Sequence, residues 1–245
     1  MIQMKKLIFA SVVVMLLTSS VPPVFKTNPT NENDWESLFD GTTLTGWHRF
    51  NRKGVTPIWT AEDGILTFDP SQRPEGDYVH DLVTDKEFKN FQLSIEWNIS
   101  EGGNSGIFWG VQEGEGHDKP YSTGPEIQVL DNERHPDAKA NPKYHQAGAL
   151  YDLVQPSKDV CKPAGEWNHV LLTIDYDKNE GSVELNGTPI VAFPLRGEAW
   201  ETMIANSKFK DQCYFRHFGK FNTGKIGLQD HGDKVSFRNI KIREL

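Results

Sequence analysis

Two short stretches place polar side chains at strand spacing. In GPEIQVLDN (residues 124–132), Glu126 and Gln128 alternate with Ile127 and Val129, and in IGLQDHG (226–232) Gln229 and His231 follow the same rhythm beside Ile226 and Leu228. A strand turns successive side chains to opposite faces, so each polar pair shares one face with Cα atoms ~6.8 Å apart. A carboxylate, carboxamides and a histidine on one surface can bind hydroxyl groups and move protons. The segment YHQAGALYDL adds His145, Gln146, Tyr151 and Asp152, and the turn GGNSG adds Asn104 and Ser105. Trp109 in GIFWGVQ offers an aromatic face for stacking on a sugar ring, although a strand tryptophan is more often core. Singly, each residue has an ordinary explanation: a solvated carboxylate, a loop-capping histidine, a turn-forming Asp131, Asn132 or Asp230. Their recurrence beside glycine-rich turns points to a site for a hydroxyl-rich ligand.

Conventional glycoside hydrolysis needs two carboxyl groups about 5–5.5 Å or about 6.5–9.5 Å apart. EIQVLD has no such pair on one face, because position 128 is an amide. A second carboxylate has to come from another strand, such as Glu96.

The elements that must position these residues are mostly short strands. FQLSIEWNI sets Phe91, Leu93, Ile95 and Trp97 against Gln92, Ser94, Glu96 and Asn98. IWTAEDGILTF and SVELNGTPIVAF read as hairpins turning at Glu62-Asp63-Gly64 and Asn186-Gly187, with the Asn-Gly pair a strong turn signal. EAWETMIANSKF (198–209) carries Trp200, Met203 and Ile204 at helical spacing, and that stripe is expected to cover the end of a sheet. About a dozen strands with one short helix predict an all-β fold, a two-sheet antiparallel jelly-roll sandwich.

The start of the chain reads differently. Lys5 and Lys6, an apolar run from Leu7 to Leu17 and then small polar residues form the layout of a secretory signal peptide over residues 1–20. Residues 21–34 form a polar leader, and 35–245 one domain. Export to the periplasm or beyond is the expectation, with no membrane anchor on the mature chain. Removing Lys5 and Lys6 with no acid takes the net charge from −8 to −10, which argues against nucleic acid as a partner. Cys161 and Cys213 are the only cysteines; one disulfide or two separate thiols are both open.

LFDGTTLTGW, GNSGIFW, TGPEIQVLDN, YHQAGALYDL, KPAGEWN, VELNG and IGLQDHGDKVSFRNIKIREL occur in this order. Together, from Trp35 to Leu245, they resemble the 3-keto-disaccharide hydrolase family. The resemblance implies a concanavalin A-like jelly roll, in agreement with the strand count. It implies cleavage of glycosides already oxidised to a ketone at C3, by a lyase step and rehydration, with a separate sugar 3-oxidoreductase supplying the substrate. That chemistry needs a base for the C2 proton, an electrophile for the oxyanion and an acid for the leaving oxygen. A divalent metal is one way to supply the electrophile; no nucleotide cofactor is implied. Glu126, His145 and His231 are the candidates for base, acid or metal ligands. Asn104, Trp109, Gln128, Tyr151 and Gln229 are the candidates for holding substrate. A sugar-binding module without catalysis and a conventional two-carboxylate glycosidase are the competing readings.

Overall fold

Thirteen strands make up the framework among the described residues: β1 (Glu36–Ser37), β2 (Trp47–Arg49), β3 (Trp59–Glu62), β4 (Ile65–Phe68), β5 (Leu82–Thr84), β6 (Phe91–Ile99), β7 (Asn104–Val111), β8 (Glu126–Leu130), β9 (Asn168–Asp175), β10 (Glu180–Leu185), β11 (Thr188–Phe193), β12 (Lys225–Leu228) and β13 (Val235–Glu244). The structure, a computed structural model, describes residues 34–77, 80–140, 143–211 and 213–245. The signal-peptide reading and nearly all of the leader lie outside them. No helix among the described residues is long and apolar enough to cross a membrane.

All the strand pairings are antiparallel. One sheet runs β11-β10-β9-β6-β13-β4-β3 with β1 added beside β13, and the other runs β2-β5-β12-β7-β8. The two form a jelly-roll sandwich of the concanavalin A-like type. The alternation in β6 is realised in full: Phe91, Leu93, Ile95, Trp97 and Ile99 are buried, and the intervening residues are half-exposed. Ile127, Val129, Ile226 and Leu228 join the same apolar core from the five-stranded sheet. Both hairpin turns are as read: Asp63-Gly64 and Asn186-Gly187 all have positive φ, the twist that matches flanking strands.

Glu96 lies on the outer face of the larger sheet, where Arg238 Nε donates to it at 2.8 Å. It therefore cannot serve as a second carboxylate beside Glu126, because the strand that carries it belongs to the opposite sheet. Cys161 and Cys213 are free thiols. The helix of the 198–209 segment is α2 (Glu198–Ala205), and a 3-10 turn follows at Lys208–Lys210. A second short helix, α1 (Asp137–Ala140), was not evident from periodicity.

Candidate active site

The outer face of the five-stranded sheet is organised in rows across strands. Gly106 pairs with Gln128, and Phe108 with Glu126. Gly227 pairs with Phe108 and Val83. Two residues along, Gln229 N donates to the Gly106 carbonyl at 3.0 Å, and the next residue's amide, Asp230 N, donates to Asp81 Oδ1 at 3.1 Å. The register thus sets Gln128, Gly106, Gln229 and Asp81 in one row. The neighbouring row holds Glu126, Phe108, Gly227 and Val83.

These rows differ in character. Phe50, Val83, Phe108 and Val111 form a small apolar cluster, with Tyr121 packed on it. A bulge at Gly110 (φ +65°) shifts the register against β12 and brings Val111 round to the side of Phe108. The other row is polar and buried without partners. Gln128 is 1% exposed, yet neither its Oε1 nor its Nε2 has a hydrogen-bond partner; Gln229 Oε1, Asn104 Oδ1 and Asp81 Oδ2 are in the same condition. Buried polar atoms are nearly always paired in folded proteins, so a row of orphans on one face marks a surface made for a ligand.

Glu126 lies at the head of this face, its carboxyl reaching over Gly106. A Cβ at position 106 would sit 2.1 Å from Glu126 Oε1, so only glycine leaves the carboxyl room. Burial pushes the Glu126 pKa up to about 8, against the attraction of Lys208 and with help from the charges of Asp137 and Asp81. Asp81 is 2% exposed and is pushed up to about 6, again chiefly by burial, while Lys119 holds it down. Lys119 Nζ stands 3.8 Å from Asp81 Oδ2.

The edge strand β8 is covered by the segment carrying His145 and Tyr151. Gln128 N donates to Ala149 O, Gly148 N to Gln128 O and Tyr151 N to Glu126 O. Tyr151 is thereby fixed beside Glu126. Its hydroxyl donates to Asp137 Oδ2 at 3.0 Å, and its ring stacks on His145 at 4.3 Å between centroids. Lys208 Nζ lies 4.0 Å from the centre of the same ring. Burial lowers the Lys208 pKa, and Glu126, Asp152 and Asp137 oppose that shift. The connection after α2, expected only to cover a sheet end, thus delivers a cation to the site. Lys208 N donates to Asp152 Oδ2 at 2.7 Å, which fixes the delivery.

The sequence-derived candidates sort as follows. Glu126, Gln128, Gln229 and Asn104 share the outer face, and His231 stands at its rim, 3.5 Å from Asn104 Nδ2. Crowding by neighbours lowers the His231 pKa by desolvation, with nearby Asp233 opposing and His135 adding to the fall. His145 is not a free base: its Nδ1 lies 2.7 Å from Asp137 Oδ1 and its Nε2 3.0 Å from Asp152 Oδ1. Trp109 is not a stacking platform. It is 1% exposed and packs between the sheets against Phe193 at 5.7 Å, because its neighbour Phe108 takes the outer face.

Glu126, His145 and His231 are not gathered into one cluster of possible ligands among the described residues. Both His145 nitrogens are engaged by carboxylates. A separate cleft of about 520 Å³, whose lining does not include Glu126, is formed by His48, Asn51, Arg52, Lys53, Asp85 and Glu113.

Comparison with known proteins decides the family. Residues 34–243 match the model of the 3-keto-alpha-glucoside-1,2-lyase-like domain. The chain belongs to that family. A 3-keto-disaccharide hydrolase of Bacteroides thetaiotaomicron is 36% identical over 238 residues, 89% of this chain and 80% of that protein. A crystal structure of a provisionally named glycosyl hydrolase from Parabacteroides distasonis is 31% identical, with a TM-score of 0.79, over 90% of this chain and all of that one. A second such P. distasonis structure is 26% identical with a TM-score of 0.63, over 87% of this chain and all of that one. Family membership places the chain among glycoside-cleaving enzymes, acting on carbohydrate.

Sequence reasoning missed Asp81, Lys208, Asp137 and Tyr121. Asp81 precedes a three-residue strand too short to show a period, and α1 is a single turn. Lys208 follows a helix whose apolar stripe reports burial and says nothing of what the next basic side chain reaches.

Proposed function

We propose that this enzyme cleaves 3-keto-glycosides, 3-keto-disaccharides among them, by elimination followed by rehydration. The observation that carries the reading is the Glu126 carboxyl: buried, without a hydrogen-bond donor among the described residues, raised to about 8, and facing the charge of Lys208. A carboxylate of that basicity is matched to a carbon acid activated by a neighbouring ketone, and proton transfer is most efficient when the base titrates near the working pH.

In this reading Glu126 takes the proton from C2, and the electron pair moves into the C2–C3 bond with charge accumulating on the C3 oxygen. Lys208, held over Tyr151, stabilises that oxyanion. The charge then returns, the C1–oxygen bond breaks, and a C1–C2 double bond conjugated with the ketone remains. The leaving oxygen takes the proton now on Glu126. Water adds across the double bond, hydroxyl to C1 and hydrogen to C2, so the net change is hydrolysis. Gln128, Asn104, Gln229 and His231 hold the ring hydroxyls. His145 acts through Tyr151 and Asp137 as a positioning residue. A separate sugar 3-oxidoreductase supplies the keto substrate, and the reaction belongs to the periplasm or the exterior.

The test compares a 3-keto glucoside with its unoxidised parent. Turnover of the keto form alone is expected, and reaction in heavy water should place deuterium at C2 of the rehydrated sugar. Equal cleavage of the unoxidised glycoside without deuterium at C2 would instead establish a direct two-carboxylate displacement. Binding of both sugars without cleavage would leave a sugar-binding module.

A further inference from the structure

Tyr151 is held from both sides. His145 stacks on its ring with 4.3 Å between centroids and 19° between planes, and Lys208 Nζ stands over the ring, 4.0 Å from its centre. A face already covered by an imidazole has no room for an ammonium at that distance, so the two groups lie on opposite faces. The jaws of this clamp come from separate parts of the chain, and one carboxylate reaches both. Asp152 Oδ1 meets His145 Nε2 at 3.0 Å, and Asp152 Oδ2 accepts from Lys208 N at 2.7 Å.

The backbone explains how one residue does this. Asp152 follows Tyr151 directly and is left-handed, with φ +58°, a conformation that residues other than glycine adopt mainly where the surroundings hold them there. Its amide donates to Tyr144 O at 3.1 Å, which folds the chain back onto the segment carrying His145. From the other side, Lys208 opens the 3-10 turn Lys208–Lys210. The first amides of such a turn have no partner within it, and Asp152 supplies one. Its charge acts in the same direction: burial lowers the Lys208 pKa, and Asp152 is among the groups that oppose the fall.

We propose that Asp152 is a positioning residue: by tying His145 and the Lys208 backbone together around Tyr151, it sets where the Lys208 ammonium stands relative to Glu126. This inference deepens the function proposed above and rests on it for what Lys208 does to the substrate.

Asp152→Ala removes both ties, whereas Asp152→Asn keeps a side chain at home in the left-handed region and one acceptor oxygen. On a 3-keto glucoside, Asp152→Ala should lower kcat/KM about a hundredfold, and Asp152→Asn about five- to tenfold. Lys208→Met should cost about a hundredfold to a thousandfold. Because Asp152 acts through Lys208, either Asp152 variant combined with Lys208→Met should fall within about threefold of Lys208→Met alone. The pH profile separates placement from folding. Lys208 draws the Glu126 pKa down, so displacing it should move the rising limb to higher pH, whereas simply deleting a nearby negative charge would move it lower. Losses that add in the double variants, or a limb that stays or moves lower, overturn the proposal. If Asp152→Ala does not fold, Asp152→Asn decides by the same cycle and the same direction of the limb. If the unmodified enzyme cleaves no keto sugar, the proposed function fails and NMR still judges the clamp. The Lys208 ε protons, lying over the Tyr151 face, should resonate upfield in the unmodified protein and move back toward the ordinary lysine position in Asp152→Ala and, less far, in Asp152→Asn. No upfield shift in the unmodified protein, or the same shift in the variants, overturns it.

Discussion

At the residue scale, Glu126 and His145 show how the same expectation leads to different roles. Both were candidates for acid, base or ligand by type alone. The structure strips Glu126 of water and of hydrogen-bond donors, which raises its pKa, and gives His145 a carboxylate on each ring nitrogen. Glu126 is left with the raised pKa that the proposed base requires; His145 is held between Asp137 and Asp152. Glu126 must be ionised to act as base, so kcat/KM on a 3-keto glycoside should rise with pH along a limb centred near 8. Glu126→Gln should lower kcat/KM by about a thousandfold or more and abolish that limb. A pH–rate profile of the two proteins checks this, and an unchanged limb in the variant would remove Glu126 as the base.

At the element scale, the period-two reading located strands well and faces unevenly. Glu126 and Gln128 alternate with apolar neighbours, so their face was legible from the sequence. Trp109 was not, because Phe108 and Trp109 are both aromatic and the pattern through GIFWGVQ has no polar side. The register settled it: Phe108 pairs with Glu126 and so shares its outer face, which sends Trp109 inward. Lys208 was hidden for another reason, since its role depends on where a long connection lands. The same register gives Gly106 a duty that its small size alone did not reveal. Its backbone is not in the left-handed region, so alanine is tolerated conformationally, yet the added Cβ would collide with the Glu126 carboxyl. Gly106→Ala should therefore move the carboxyl and lower kcat at least about a hundredfold, with a loss of stability within about 1–3 kcal/mol. Activity and thermal melts on one preparation separate the two effects, and a fully active Gly106→Ala enzyme would mean that the carboxyl need not lie over β7.

At the scale of the whole molecule, the two sheets share a core while their outer faces do opposite things to stability. On the larger sheet, polar side chains are paired, as in Glu96 with Arg238 and Gln92 with Thr173. On the smaller one, buried oxygens and nitrogens of Asp81, Gln128, Gln229 and Asn104 lack hydrogen-bond partners, an arrangement that favours function at a cost in stability. The sign of that cost follows from proton binding. An unfolded chain ionises Glu126 near the ordinary glutamate value of 4.5, whereas the folded protein holds the proton until about 8. Between those values the folded state binds more protons than the unfolded one, so stability falls as pH rises through this window and levels off above it. The difference amounts to about 3 kcal/mol at pH 7, an upper figure because Lys208 also loses its counter-charge in a variant. Glu126→Gln, neutral at every pH, should thus melt no higher than the unmodified protein near pH 4.5. It should melt roughly 6–12 °C higher at pH 7–8. Calorimetric melts of the two proteins across pH 4.5–8.5 measure the difference directly. A constant gap would show that the folded protein ionises Glu126 as readily as the unfolded chain does, and the tuned base would then have to be sought elsewhere on this face.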